Sequence, residues 1–170
     1  MTEMYSSIEQ EIAQLEKQIA EKRAALGPAE QKETEIPKEF HAVFVDDEGP
    51  IREMAGLMLR GIFSSVKVCP TPQEVLAYFR KVDRPSEEKQ PNVLITDLRM
   101  PGMTGLELAK AVKSEFPSTS IVLTTSGLDE SIDLKKAGID IYLEKPYQRV
   151  QLQELPEKIR QKLQTSSNSS

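Results

Sequence analysis

Short apolar runs alternate with helical patterns from Phe40 to Leu163, and this alternation constrains the fold more than any other feature of the chain. The runs, each long enough for one strand, are Ala42–Val45, Val66–Cys69, Val93–Thr96, Ile121–Thr125 and Ile139–Leu143. Between and after them, apolar residues recur at helical spacing, and the first such face is Ile51, Met54, Ala55, Met58 and Ile62. Strands that alternate with helices build a parallel sheet covered on both faces. We therefore predict an α/β fold with a doubly wound, five-stranded parallel sheet and five helices.

Local signals predict where several elements begin and end. Thr71–Glu74 and Thr104–Glu107 both have the pattern of a capping box at a helix start. The polar stretch Arg84–Pro91 has a proline at its end and no core residues, so it is predicted to be a loop. Pro156 falls inside the last helical pattern, and that helix is therefore expected to start near Gln153 or to bend there.

The first 27 residues carry a heptad pattern that is typical of a coiled-coil helix. One core position holds Tyr5, Ile12, Ile19 and Leu26, and the other holds Ile8, Leu15 and Lys22. Gly27 and Pro28 end the pattern, since a glycine suits the position after a helix and a proline cannot continue one. The predicted organisation is a helix at 1–27, a linker at 28–38, the main domain at 39–164 and a disordered tail at 165–170.

The N-terminal helix is predicted to mediate association through residues 5–26, and three interpretations remain open. Three heptads are marginal as an isolated pair, and Lys22 in a core position weakens self-association. The helix could form a weak homodimer, pack with a helix from a partner protein, or dock on its own domain.

Composition excludes several classes of function. The net charge is −5 and the lysines and arginines are scattered, so nucleic-acid binding is not expected. The single cysteine, Cys69, can form neither an intramolecular disulfide nor a zinc cluster. No apolar stretch is long enough to cross a membrane and the N-terminus lacks a signal-peptide core, which favours a cytoplasmic protein without membrane contact.

Charged and polar residues follow the predicted strands at one edge of the sheet, where open parallel sheets bind their ligands. These strand ends are Asp46-Asp47, Asp97, Thr124-Thr125-Ser126 and Glu144-Lys145-Pro146. Three crowded carboxylates disfavour one another's ionisation, and a divalent cation would offset that cost. Oxygen ligands without histidine or cysteine favour Mg²⁺. A metal with a lysine and a hydroxyl nearby suits a phosphoryl group, and Asp97 is placed to accept one.

Four motifs in this order, VFVDDE, LITDLRMPGMTGLEL, IVLTTSG and YLEKPY, resemble those of the receiver domain of two-component response regulators. The resemblance covers about residues 40–163 and implies the flavodoxin-like receiver fold. It also implies that Asp97 is the phospho-acceptor, that Mg²⁺ is the cofactor, and that a histidine kinase or histidine phosphotransfer protein supplies the phosphate.

The resemblance assigns roles to the other site residues as well. The implied metal ligands are Asp46, Asp47, Asp97 and the backbone carbonyl of Arg99. The implied phosphate-binding and switch residues are Thr125, Ser126, Lys145 and Tyr142, and the implied cis-proline is Pro146. Thr124 competes with Thr125 for the switch role. The connection from Thr125 to Gly138 is short, so the fourth helix is expected to be short or irregular.

The predicted function is that of a single-domain response regulator. We expect no output domain after Leu163, and therefore signalling through protein contacts at the face formed by the fourth helix, the fifth strand and the fifth helix. The chain is not expected to be an enzyme beyond its own phosphoryl uptake and slow dephosphorylation. The alternative is a coiled-coil scaffold whose receiver module works without phosphorylation. An aspartyl-phosphate phosphatase is disfavoured, because such enzymes usually carry a second aspartate where this chain has Arg99.

Overall fold

The computed structural model describes residues 40–167, together with Gln14, Lys17, Gln18 and Glu21, which are helical and exposed. The chain divides into two units, Met1–Glu35 and Ile36–Ser170. Apart from those four residues, the predicted coiled-coil helix at 1–27 and the linker at 28–38 lie outside the described residues, as do the last three residues of the predicted tail. In the part of the chain that is described, no helix has the length and apolar character that crossing a membrane requires.

Five parallel strands form one sheet, which confirms the predicted fold class. The strands are β1 (His41–Val45), β2 (Ser65–Cys69), β3 (Val93–Asp97), β4 (Ser120–Thr125) and β5 (Ile141–Glu144). Their order in the sheet is β2-β1-β3-β4-β5. The chain therefore runs outward from β1 to β2 and then returns to β3 on the other side of β1. Such a reversal leaves a crevice at the carboxyl ends of β1 and β3, where ligands bind in sheets of this kind.

Five helices accompany the sheet within residues 40–167, but they are not the five that were predicted. They are α1 (Gly49–Leu59), α2 (Pro72–Phe79), α3 (Gly105–Glu115), α4 (Arg149–Gln153) and α5 (Leu155–Ser167). The predicted helix between β4 and β5 is wrong, because residues 126–140 form turns and bends instead. The last helical pattern is interrupted at Glu154, one of the two outcomes that Pro156 predicted. The second part, α5, continues past the predicted start of the tail at residue 165.

The turns between β4 and β5 have a local cause. The Asp129 carboxylate accepts a hydrogen bond from the Ser131 amide at 2.8 Å, and the Asp133 carboxylate accepts one from the Lys136 amide at 3.1 Å. The bond at Asp129 gives the backbone an alternative to helical bonds, whereas the bond at Asp133 has the geometry of a helix cap and accompanies a single helical bond from the Ala137 amide to the Asp133 carbonyl, at 3.0 Å. Gly138, at a φ of 77°, then leads into β5. The predicted output face therefore has turns, not a helix, beside β5 and α5.

The core consists of two apolar clusters, one on each face of the sheet. Alternate residues of β1 divide between them, so that Ala42 and Phe44 face one cluster while Val43 and Val45 face the other. The first cluster includes residues of α1, α4 and α5, namely Ala55, Leu59, Leu152, Leu155 and Ile159. The second includes residues of α2 and α3, namely Val75, Phe79, Leu108, Ala109 and Val112. Helices thus cover both faces, and every residue of β3 and β4 is buried.

Met54, which the apolar pattern placed on the same helix face as Ala55, does not fill the core. The buried residues of α1 are Ala55, Gly56 and Leu59, and they define the centre of its inward stripe. Met54 lies at the edge of this stripe and is 50% exposed, while Leu57 on the outer face is 70% exposed. The helix therefore presents apolar side chains to solvent as well as to the sheet.

Candidate functional site

Three strand ends bring two aspartates and a lysine together. Asp46 follows β1, Asp97 ends β3 and Lys145 follows β5. The Lys145 Nζ atom lies 2.7 Å from Asp46 Oδ2 and 2.7 Å from Asp97 Oδ1. Asp46 is 1% exposed and Asp97 is 8% exposed, so both ion pairs lie in a largely dry environment. The ammonium group thus bridges two nearly buried carboxylates.

Backbone amides occupy the remaining carboxylate oxygens. The Glu48 amide donates to Asp46 Oδ1 at 2.9 Å, and the Arg99 amide donates to Asp97 Oδ2 at 2.8 Å. Each of the four oxygens therefore has a donor, which compensates the loss of water on burial. These bonds also fix the direction of each carboxylate at the mouth of the crevice.

The charge of the cluster is unbalanced. Burial lowers the pKa of Lys145, but its hydrogen bonds and its attraction to Asp46 and Asp97 outweigh burial and raise the pKa above its ordinary value. Lys145 is therefore a cation, and it neutralises one of the two carboxylates that it contacts. The remaining negative charge favours binding a further cation or a cationic group.

Asp47 and Arg99 flank the cluster on exposed loops. Asp47 follows Asp46 directly and its side chain is exposed. Arg99 is exposed as well, and its backbone amide contacts Asp97. Within residues 40–167 no three acidic, histidine or cysteine side chains are grouped as a ready-made set of metal ligands. The groups near Asp46 that could bind a metal nevertheless all do so through oxygen atoms, and the cluster carries excess negative charge. These residues therefore fit the chemistry of Mg²⁺.

Thr124 and Thr125 differ in what their hydroxyls contact. Thr124 is paired with Asp97 in the sheet, and its hydroxyl donates to the backbone carbonyl of Thr96 at 3.3 Å. The Thr125 hydroxyl instead contacts the loop that follows β4. It donates to the Gly127 carbonyl at 3.2 Å and accepts from the Gly127 amide at 3.4 Å. Thr125 is the last residue of β4 and is paired with Glu144, which directly precedes Lys145.

The other predicted residues surround this edge. Ser126 is exposed, and Tyr142 is half-buried on β5, where burial and the neighbouring Glu144 carboxylate raise the pKa of its phenol. The Lys145–Pro146 peptide bond is cis. An open cavity of about 590 Å³ begins at Lys145 and is lined by Glu144, Lys145, Pro146, Gln148 and Gln151. Of the charged cluster, Lys145 lines this cavity, while Asp46 and Asp97 do not.

The N-terminus of α3 packs directly against the backbone of Asp97. The Gly105 amide donates to the Leu98 carbonyl at 2.9 Å, and a Cβ atom at Gly105 would lie 2.1 Å from the Asp97 carbonyl oxygen. Thr104 caps this helix, with both hydrogen bonds of the predicted capping box present. This capping box was predicted from the sequence, whereas the close approach was not, although the glycine at position 105 was a signal for it.

Two further residues at the site were missed. Arg52 donates from one guanidinium nitrogen to the backbone carbonyls of Asp46 and Asp47. Its position in the first turn of α1, just after the acidic pair, was the available signal. The Tyr147 hydroxyl is buried and has no hydrogen-bond partner among the described residues, and burial raises the pKa of this phenol. Nothing in the local sequence distinguishes Tyr147 from an ordinary core aromatic.

Comparison with known proteins agrees with this geometry. Residues 42–157 match the family described as response regulator receiver domain. The chain is 34% identical over 105 residues to the DNA-binding transcriptional regulator NtrC of Salmonella typhimurium, covering 61% of this chain and 21% of that protein. It is 34% identical over 108 residues to the transcriptional regulatory protein FixJ of Rhizobium meliloti, covering 61% of this chain and 48% of that protein. The chain thus spans less than half the length of either relative.

Solved structures of receiver proteins share the fold. The chemotaxis response regulator CheY4 of Vibrio cholerae has a TM-score of 0.59 and 27% identity, over 71% of this chain and 98% of that chain. The BeF3-activated DrrB receiver domain has a TM-score of 0.59 and 25% identity, over 72% and 97%. Receiver domains are signalling domains of two-component systems, generally bind Mg²⁺ for phosphorylation, and imply a histidine kinase or phosphotransfer partner. With its matching residues, sheet order and charged cluster, the chain belongs to the response regulator receiver domain family.

Proposed function

We propose that Asp97 accepts a phosphoryl group from the phosphohistidine of a histidine kinase or phosphotransfer protein. The observation that carries this proposal is the contact of Lys145 with both Asp46 and Asp97, at 2.7 Å each. A cation between a nucleophilic carboxylate and a second acid is suited to neutralise the oxygens of a transferring phosphoryl group.

In the proposed step, a carboxylate oxygen of Asp97 attacks phosphorus. A P–O bond forms as the P–N bond of the donor breaks, and the histidine nitrogen keeps the electron pair and takes a proton from solvent. The product is an acyl phosphate on Asp97. Lys145 pairs with the new phosphoryl oxygens, and the Arg99 amide keeps the carboxyl group oriented.

Asp46, Asp47, Asp97 and the backbone carbonyl of Arg99 are the proposed ligands of Mg²⁺. When bound, the metal supplies positive charge that offsets the charge of the phosphoryl oxygens. The excess negative charge of the Asp46–Lys145–Asp97 cluster and the exposure of Asp47 support this assignment.

Thr125 is the proposed switch hydroxyl, with Ser126 beside it and Tyr142 as the switch aromatic. The Thr125 hydroxyl makes two long hydrogen bonds to Gly127, at 3.2 and 3.4 Å, which a phosphoryl oxygen would replace at little cost. The Thr124 hydroxyl is bonded inside the sheet, and this favours Thr125. Phosphorylation then shifts the population toward the arrangement that binds phosphate better.

Output is proposed to pass through protein contacts at β5, α5 and the turns of residues 126–140. The N-terminal segment 1–27 is proposed to mediate association, before a linker at 28–38 and the receiver at 39–164. The four described residues of this segment all fall outside its predicted core positions and are exposed, in agreement with the heptad register. A solution mass that is monomeric at micromolar concentration, and unchanged on deletion of residues 1–27, would contradict self-association.

Phosphate labelling tests the proposed function against the scaffold alternative. Wild-type protein, Asp97→Asn and the exposed control Asp83→Asn are incubated with acetyl phosphate and Mg²⁺, and intact mass is measured. We expect one phosphoryl group on the wild type and on Asp83→Asn, and none on Asp97→Asn. Loss of the label in hydroxylamine identifies an acyl phosphate. Equal labelling of wild type and Asp97→Asn, or no labelling at all, would refute the proposal.

A further inference from the structure

Arg52 donates hydrogen bonds to the backbone carbonyl groups of three successive residues, 46–48, which form the acidic turn after β1. Nη1 of Arg52 donates to the carbonyl oxygens of Asp46 and Asp47, at 2.9 Å each. The backbone amide of the same residue donates to the carbonyl oxygen of Glu48 at 3.0 Å. The turn that carries both proposed metal-binding acids of β1 is therefore bonded, residue by residue, to the first turn of α1.

Among the described residues, few other hydrogen bonds hold this turn. Glu48 is the N-cap residue of α1, but its side chain makes no capping hydrogen bond. The Asp46 carboxylate accepts a hydrogen bond from the Glu48 amide, and it also accepts one from the Lys145 ammonium group. Arg52 is the described donor to the carbonyl groups of residues 46 and 47, of which the Asp46 carbonyl is half-buried and therefore needs a protein donor, while Asp47 is exposed. Because carbonyl direction and side-chain direction are coupled through the backbone, holding these carbonyls also orients the two aspartates.

The charge of Arg52 is not used in an ion pair. Among residues 40–167, no carboxylate forms a salt bridge with Arg52, although two aspartates are its neighbours in the turn. If the Arg52 guanidinium acted only through its positive charge, it would oppose the binding of a metal cation nearby. Its hydrogen bonds to the backbone have the opposite effect, because they hold the ligands in place before the metal arrives.

We propose that Arg52 is a positioning residue, whose guanidinium fixes the Asp46–Asp47 backbone so that both carboxylates are presented for Mg²⁺. This inference rests on the proposed function, because it assigns a role toward the same metal site. Arg52 does not contact the metal or phosphate in this proposal. It acts through the direction of the two aspartates.

The two roles of an arginine predict opposite results for Arg52→Gln. If Arg52 acted only through its charge, the variant would bind Mg²⁺ more tightly than the wild type. If it positions the turn, the variant binds more weakly, by about tenfold, which is the lower end of the effect seen when groups that orient metal ligands are removed. Arg52→Lys keeps the charge but replaces the rigid guanidinium with an ammonium on a flexible stem, and is expected to bind Mg²⁺ more weakly than the wild type too.

The experiment measures the Mg²⁺ dissociation constant by calorimetry for the wild type, Arg52→Gln, Arg52→Lys and the control Arg60→Gln. Arg60 lies just after α1 and is exposed, so its replacement is expected to leave the dissociation constant within twofold. In parallel, hydrogen exchange of the peptide covering residues 45–49 is followed in metal-free protein. We expect faster exchange in Arg52→Gln. Circular dichroism checks that each variant is folded.

Each outcome decides one of the two proposals. Equal or tighter Mg²⁺ binding by Arg52→Gln would overturn the positioning role while leaving the proposed function intact. Unchanged exchange at residues 45–49 would overturn it as well, independently of any metal. Failure of the wild type to bind Mg²⁺ would refute the proposed metal site, and with it the metal-presenting role of Arg52.

Discussion

Replacing Lys145 by methionine tests the electrostatic description of the site. The substitution keeps most of the apolar stem and removes the ammonium group that contacts Asp46 and Asp97. The two carboxylates, at 1% and 8% exposure, then face one another without a cation. The metal-free variant is therefore expected to be less stable at neutral pH, because two nearly buried like charges lose their shared partner.

The size of the effect follows from the contacts. At 2.7 Å and an effective dielectric constant of about 20, each ion pair is worth about 6 kcal/mol before the cost of desolvation. Desolvation takes back several kcal/mol for each ion, so the net effect is much smaller than the sum of the two pairs. Removing one partner of a buried pair typically costs about 3–5 kcal/mol. Lys145 is 16% exposed, and we expect the lower end, about 3 kcal/mol.

The assay is urea unfolding followed by circular dichroism, in low salt with EDTA, for the wild type, Lys145→Met, Asp97→Asn and the double variant. Asp97→Asn removes one of the two negative charges, so the cost of losing the lysine is expected to be smaller in that background. The coupling between the two substitutions, taken from the double-mutant cycle, should fall within about 0.5–3 kcal/mol. A change below about 0.5 kcal/mol for Lys145→Met, or a cost that is equal in both backgrounds, would refute this description.

The same pair of proteins has a predicted pH dependence. The pKa of Lys145 in the folded protein is raised above the ordinary value of 10.5. Its contribution to the free energy of unfolding is therefore complete below the unfolded-state pKa and is lost as pH rises through the higher folded-state pKa. The difference in stability between wild type and Lys145→Met should be constant from pH 7 to about 10 and shrink above it. A difference that grows above pH 10 would contradict the assigned sign.

Three further predictions concern packing around the site. Gly105→Ala places a methyl group 2.1 Å from the Asp97 carbonyl oxygen and should lower the free energy of unfolding by about 3 kcal/mol. The exposed control Gly61→Ala should change it little, and equal urea midpoints for the two variants would contradict this prediction. Tyr147→Phe removes a buried hydroxyl without a described partner and should raise stability by about 1 kcal/mol, and a thermal denaturation that shows a loss of that size would mean that the hydroxyl is bonded. Burial raises the pKa of the Cys69 thiol to about 11, so this residue should resist iodoacetamide at pH 7.5 in the folded protein and react in urea; rapid labelling of native protein, detected by mass, would be the contrary result.

Much of the fold could be read from local spacing. The apolar runs predicted all five strands to within about two residues. The central strands β1, β3 and β4 are buried on both faces and so have continuous apolar sequences, whereas the edge strands β2 and β5 are partly exposed. The same reasoning failed between β4 and β5, where the chain forms turns and the Asp129 and Asp133 carboxylates accept hydrogen bonds from the Ser131 and Lys136 amides. It failed again at Met54, since periodicity shows that a helix has an apolar face but not where the edge of its buried stripe lies.

The residues of the candidate site were likewise predicted only in part. Asp46, Asp97 and Lys145 were found because each ends or follows a strand, and parallel strands end at a common edge. The role of Arg52 and the orphan hydroxyl of Tyr147 were not found, because arginines near acids and aromatic residues near prolines are common in any sequence. Gly105 was read as part of a helix cap, while its contact with the Asp97 backbone depends on how α3 sits against β3.

The sequence by itself determined the order of the five strands, the three helices between β1 and β4, and the residues that stand at the strand ends, because these follow from periodicity and from short-range steric and hydrogen-bonding preferences. Only the tertiary structure decided which groups meet: Lys145 and Asp46, 99 positions apart in the chain, form an ion pair because β1, β3 and β5 belong to one twisted sheet. Distances of 2.7 Å between such groups are set by packing across the whole domain, and no local pattern encodes them.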